Sequence, residues 1–249
     1  MKRVFKYTFI LVLVAVLLSP IYANGKKDVS GSSALTEGAA PVPHGDLSNQ
    51  AKMEKKIERL VVGPIKANCW LYALRGEYID GKQACAVIDP GDEAELIISR
   101  LKALDWVPKF ILITHGHFDH VTALPDLVKA YPDAEAGIHQ LDVDYLKEKT
   151  PLVYFEEGDT KGPLKIIHLP GHTPGSLCFF DEEAEVLFTG DTLFSGSWGL
   201  TNLPGGNEAD MYKSLKRLLS MKGDIIVYPG HGPLTTIKGE AGLISSFAY

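Results

Sequence analysis

The segment Thr114-His115-Gly116-His117-Phe118-Asp119-His120 follows directly on the apolar run Phe110-Ile111-Leu112-Ile113. A short apolar run that exits into a loop of imidazoles and a carboxylate reads as a buried strand feeding a polar centre, the place where folds mixing strands and helices put their chemistry. In an extended loop alternate residues point the same way, so His115 and His117 can grip one cation together. Asp119 and His120 lie past the turn and point elsewhere, which suits a second cation. Two ions about 3.5–4 Å apart can share and activate one water.

Three later segments strengthen this reading. Gly171-His172-Thr173-Pro174-Gly175-Ser176 offers a lone His in a loop between two strand-like runs. Phe188-Thr189-Gly190-Asp191-Thr192-Leu193-Phe194 puts an Asp at a strand end, after a Gly that lets the backbone turn sharply. Pro229-Gly230-His231-Gly232 follows the strand Asp224-Ile225-Ile226-Val227-Tyr228. Singly, each His or Asp reads as an ordinary loop residue. Together, all of them sit at strand-to-loop exits.

These segments and their order resemble the metallo-β-lactamase superfamily, and within it the short-form glyoxalase II-like hydrolases of the hydroxyacylglutathione type. The resemblance runs from about Leu60 to about Ile237. It passes through Ile88-Asp89-Pro90-Gly91, the histidine loop, GHTPGS at 171–176, FTGDTLF at 188–194, Leu203-Pro204-Gly205-Gly206 and YPGHGPLTT at 228–236. It implies an α+β fold, the four-layer αββα sandwich. It also implies two divalent metal ions: His115, His117 and His172 on one, Asp119, His120 and His231 on the other, with Asp191 bridging both. Asp119 and Asp191 would be the carboxylates that serve catalysis. Imidazole and carboxylate ligands suit Zn, taken first here, or Fe or Mn, and require no Cys. The implied activity is hydrolysis of a small-molecule thioester, or a related ester or lactone, by a metal-bridging hydroxide formed from a water whose pKa is lowered to near neutrality. A thiolate then departs without needing a strong general acid.

A bridging Asp is typical of glyoxalase-like and phosphodiesterase-like branches, whereas the lactamase branches generally lack it, so β-lactam hydrolysis is not expected. Two other readings stand beside the hydrolase. One is a mononuclear iron persulfide dioxygenase, with His115, His172 and Asp191 or a similar subset on Fe(II); the other is a non-catalytic exported metal-binding protein. The chain departs from the resemblance at Leu200 and Asn202, where family members often carry Arg and Asp. Only 18 residues follow His231, too few for the helical domain that supplies glutathione contacts in long-form enzymes.

The N-terminus reads as an export signal. Lys2, Arg3 and Lys6 precede the apolar stretch from Phe9 to Leu18, and Ala23 is the expected cleavage site, giving a signal peptide over 1–23 and a periplasmic or secreted protein. The apolar run is short for a membrane span, so membrane contact is expected only during export. From 24 to 57 the chain is rich in Gly, Ser, Ala, Pro and Lys without apolar periodicity, a flexible linker that carries His44. The hydrolase domain is expected over 58–249. Losing the three basic signal residues takes the net charge from −6 to −9. An acidic domain without a basic stripe argues against nucleic-acid binding.

Cys69, Cys85 and Cys178 all lie in apolar strand-like runs and read as buried thiols, with a Cys69–Cys85 cross-strand disulfide as the alternative after export. Strands are expected over 59–63, 67–74, 83–88, 110–114, 135–139, 164–168, 176–181, 185–189 and 224–228. Helices are expected over 93–104 with Asp92 as N-cap, over 121–131, and over 207–221 with Met211, Leu215, Leu218 and Leu219 facing the core. His168 and His139 read as strand-end histidines, Asp89 as a turn carboxylate bonded to backbone, and Trp198 and Tyr228 as core aromatics.

Overall fold

The computed structural model describes residues 57–147, 149–221 and 223–247. The expected signal peptide and, save for Ile57, the linker lie outside the described residues. No described helix is long and apolar enough to cross a membrane. Among the described residues, twelve strands form two six-stranded sheets. The first holds β1 (Ile57–Val62), β2 (Ala67–Ile79), β3 (Lys82–Ile88), β4 (Trp106–Leu112), β5 (Glu135–Ile138) and β6 (Val153–Tyr154) in that spatial order. The second holds β7 (Thr160–Lys161), β8 (Leu164–His168), β9 (Leu177–Asp181), β10 (Val186–Gly190), β11 (Ile226–Pro229) and β12 (Thr235–Thr236), again in sequence order across the sheet. The helices are α1 (Ala94–Leu104), α2 (Phe118–Val121), α3 (Leu124–Ala130), α4 (Glu208–Leu219) and α5 (Ala241–Ser246), with a 3-10 helix at Gln140–Tyr145.

Side-chain alternation stacks these elements into four layers. Trp70, Tyr72 and Leu74 of β2, Ile88 of β3, Phe179 of β9 and Phe188 of β10 point inward to one core between the sheets. Their neighbours Cys69, Leu71 and Val87 point outward onto Ile97 and Leu101 of α1 and Leu124 and Leu127 of α3. Across the molecule Cys178, Phe180, Leu187 and Val227 point outward onto Met211, Leu215 and Leu218 of α4 and Ile244 of α5. The expected αββα sandwich is therefore the fold. Of the two aromatics expected in the core, Tyr228 sits there, edge-on to Trp70, whereas Trp198 is only half-buried and packs at the margin against Phe247.

Several boundaries differ from expectation for local reasons. The helix expected over 121–131 is α3, which begins only at Leu124 and is preceded by the separate single turn α2. Gly91 packs so tightly on Asp119 that a Cβ there would meet the Asp119 carbonyl oxygen at 1.7 Å. Ala123 N–H accordingly donates to the Pro90 carbonyl at 3.0 Å, and Pro125, which has no N–H to give, restarts the helix in its first turn. Asp92 is not the N-cap of α1. Its carboxylate accepts the Glu93 N–H at 2.7 Å, Glu93 turns left-handed (φ 54°) as the cap residue, and the helix begins at Ala94. Strand β2 runs five residues past the expected end at Leu74, because the Gln83 amide donates to the Leu74, Glu77 and Ala84 carbonyls and fills the ladder across a bulge. That register also answers the disulfide question. Cys85 stands opposite Ala73, four residues from Cys69, which is roughly 13 Å along a strand and far beyond disulfide reach. All three cysteines are buried free thiols.

The topology gathers the loops of interest at one edge. β3 and β4 are parallel, as are β10 and β11, so Asp89, the 113–120 loop, Asp191 and His231 all follow C-terminal strand ends. Two backbone bonds join the sheets there, Leu177 N–H to the Thr114 carbonyl (2.8 Å) and Asn68 N–H to the Gly230 carbonyl (2.7 Å).

Candidate metal centre

The seven residues singled out in the sequence converge. Ligand atoms of His115, His117 and His172 lie within 4.8 Å of one another, as do those of Asp119, His120 and His231. Asp191 stands between the two sets, with Oδ2 3.5 Å from His172 Nε2 and Oδ1 3.4 Å from His120 Nε2. His231 Nε2 is 3.1 Å from Asp119 Oδ2 and 3.3 Å from His120 Nε2.

The surrounding hydrogen bonds fix which nitrogen of each imidazole faces the centre. His172 Nδ1 lies 2.8 Å from the Leu200 carbonyl, which only accepts, so Nδ1 carries the proton and Nε2 presents a lone pair. His120 Nδ1 donates to Asp89 Oδ2 at 2.9 Å, and again Nε2 faces inward. Thr114 Oγ1 gives its proton to the Asp89 carboxylate (2.6 Å) and accepts from His115 Nδ1 (3.1 Å). This leaves His115 Nε2 aimed into the centre. That nitrogen and Asp191 Oδ1 are buried without a hydrogen-bond partner, and His117 Nδ1 meets the His172 lone pair at 2.8 Å. Lone pairs that converge on one another, and buried acceptors without a hydrogen bond, are costly unless a cation joins them. The donor set therefore fits divalent metal, with no cysteine among the candidates.

Electrostatics divides the two sets. Burial, then the crowd of neighbouring imidazoles led by His120, holds His115 well below the usual histidine range. Burial and His172 hold His117 down to about 4. In the other set burial opposes charge on His120, but Asp191, Asp89 and Asp119 outweigh it and raise His120 to about 9. Burial pushes the Asp119 carboxyl up, yet the His231 hydrogen bond and the charge of His120 prevail and hold it at about 2.

Two carboxyls that position the site emerge only in the structure. Asp89 was expected as a turn residue bonded to backbone, and it does accept the Thr114 N–H at 2.7 Å. It also orients His120 and, through Thr114, His115. Asp142, fully buried on the 3-10 helix, accepts Gly116 N–H (2.9 Å), Thr173 Oγ1–H (2.7 Å) and Gly175 N–H (2.7 Å). It thereby pins the His115–His117 loop to the His172 loop. Nothing in Leu141-Asp142-Val143-Asp144 marks that role, since the residue reads as a surface carboxylate until the contacts form. The His231 loop is held by Asn68, whose amide donates to the Pro229 and Gly232 carbonyls, and by Trp70 Nε1–H, also to Pro229. Gly230 is required there, because a Cβ would fall 2.3 Å from Asp191 Oδ1. His168 stays outside both groups: its Nε2 bonds the Pro174 carbonyl, and its ring stacks on His139, which caps the 3-10 helix.

Comparison with known proteins identifies the family and the fold. The sequence profile of the Metallo-beta-lactamase superfamily matches residues 62–231. The chain is 35% identical over 206 residues to the hydroxyacylglutathione hydrolase GloC of Haemophilus influenzae, covering 74% of this chain and 94% of that protein. Among solved structures it is similar to TTHA1623 in a di-iron-bound form, with a TM-score of 0.68 and 36% identity over 74% of this chain and 96% of that one. It is also similar to the B3 metallo-beta-lactamase BLEG-1, with a TM-score of 0.66 and 31% identity over 75% and 96% of the two chains.

Proposed function

The chain belongs to the metallo-β-lactamase superfamily, as a metallo-hydrolase with glyoxalase II-like homologues, and on that footing we propose that it hydrolyses a small-molecule thioester, or a related ester or lactone, with two divalent metal ions. The observation that carries the reading is the position of Asp191 between two complete ligand groups, with one carboxylate oxygen buried and without a hydrogen bond. His115, His117 and His172 would hold one ion, and Asp119, His120 and His231 the other. Ions held there supply Lewis acidity to a carbonyl oxygen and acidity to a water. The protein's own contribution is orientation. Asp89, Thr114 and the Leu200 carbonyl each fix an imidazole tautomer, and Asp142 holds two loops in register.

A persulfide dioxygenase would need only one of the two groups, and the second group favours the hydrolase. The test is release of thiol from an acyl thioester by the metal-loaded protein, abolished by chelator and restored by Zn, Fe or Mn. A loaded protein inert towards thioesters, esters and lactones would overturn the reading. Oxygen consumption with a persulfide, or cleavage of a β-lactam alone, would replace it.

Loading the two groups should differ in proton release. At about pH 7.5 the metal-free His120, raised to about 9, carries a proton that an ion must displace, whereas His117, lowered to about 4, is already neutral. Titration calorimetry in buffers of different ionisation enthalpy should find at least about one proton released per chain on filling the Asp119–His120–His231 group. Release from His120 falls away as pH rises through about 9, and none at pH 7.5 would contradict the assignment.

Export is proposed from the first 23 residues; the mass of the exported protein should place its N-terminus at Asn24, and an intact Met1 would contradict it.

A further inference from the structure

We propose that the apolar cavity beside this centre is a subsite for the acyl chain of the substrate, so that the acyl group is aliphatic or aryl and is recognised by burial rather than by charge. The inference rests on the hydrolase reading and names its substrate class. Phe118 lies between the candidate ligands His117 and Asp119, yet its side chain is half exposed (50%). It borders a cavity of about 120 Å³ whose other apolar walls are Val121, Leu124, Pro125 and Leu146, space for a few methylene groups. Tyr145 also lines that cavity. Its ring stands edge-on to His117 at 5.5 Å and its hydroxyl donates to the Pro204 carbonyl at 2.9 Å, joining the wall to the 200–206 loop. On that loop Leu200 and Leu203 remain 61% and 39% exposed, while the Leu200 carbonyl holds His172. Apolar side chains thus flank the ligand histidines on two sides and leave surface for a ligand to cover. The cation at this cavity, Lys147, sits at its rim with Nζ 6.0 Å from the Phe118 ring.

The experiment compares acetyl, butanoyl, hexanoyl and octanoyl thioesters of one neutral thiol, N-acetylcysteamine, in the metal-loaded protein. Partial burial gives about twofold in kcat/KM per methylene, about tenfold or more from acetyl to hexanoyl, with a plateau once the cavity is full. Phe118→Ser and Leu200→Ser should flatten the series while metal content and Tm stay at wild-type values. A flat or falling wild-type series in a protein that cleaves thioesters overturns the subsite and leaves the hydrolase standing. So does a chain-length series that keeps its slope in both Phe118→Ser and Leu200→Ser. Should no thioester be cleaved, the hydrolase reading fails by itself, and binding of the hexyl and methyl thioethers of N-acetylcysteamine decides the subsite. Tighter hexyl binding that is lost in Phe118→Ser supports it, and equal binding overturns it.

Discussion

Asp191→Asn should lower thioester hydrolysis by about a thousandfold or more and leave about one ion per chain in place of about two. The substitution keeps the size of the side chain and removes its charge. Asp191 Oδ2 and Oδ1 face His172 and His120, one from each ligand group, at 3.5 and 3.4 Å. An amide there offers one oxygen and a pair of N–H donors that no lone-pair acceptor beside an ion can welcome. Elemental analysis and turnover of the same sample check both halves of the expectation. Turnover like wild type would remove Asp191 from the bridge.

Asp142→Ala should cost about 3–5 kcal/mol and lower Tm by roughly 10 °C. It strips three donors, Gly116 N–H, Thr173 Oγ1–H and Gly175 N–H, of one buried acceptor group. These donors belong to the loops of His117 and His172, so metal should be lost from the three-histidine group before the other. Thermal denaturation together with metal content reads both effects. A Tm within about 2 °C of wild type would show that the two loops hold their register without Asp142.

The candidate ligands were legible in the sequence because their chemistry is locally dense: three imidazoles and a carboxylate stand at one strand exit, with the remaining ligands at three others. The layered fold was less legible. Strands such as β9 and β10 are buried on both faces, so their runs show no polar alternation and read only as apolar segments, and the four layers came from the resemblance. Boundaries failed where tertiary contact overrode local preference. Near the Gly91–Asp119 approach one expected helix starts three residues late, at Leu124, and Glu93 took a left-handed cap that an acidic side chain does not advertise. Asp89 and Asp142 illustrate the deeper limit. A carboxyl that orients ligands is chemically identical to a surface carboxyl until the fold brings His120, Gly116 and Gly175 to it.

The most direct test of the two-ion centre is metal identity and stoichiometry, by elemental mass spectrometry on protein purified without added metal. About two ions of Zn, Fe or Mn per chain, falling to about one in Asp191→Asn, is the predicted result. A single iron per chain in the wild type, unchanged in number by supplying Zn or Mn, would contradict the two-ion hydrolase and leave the Asp119–His120–His231 group without its assigned role.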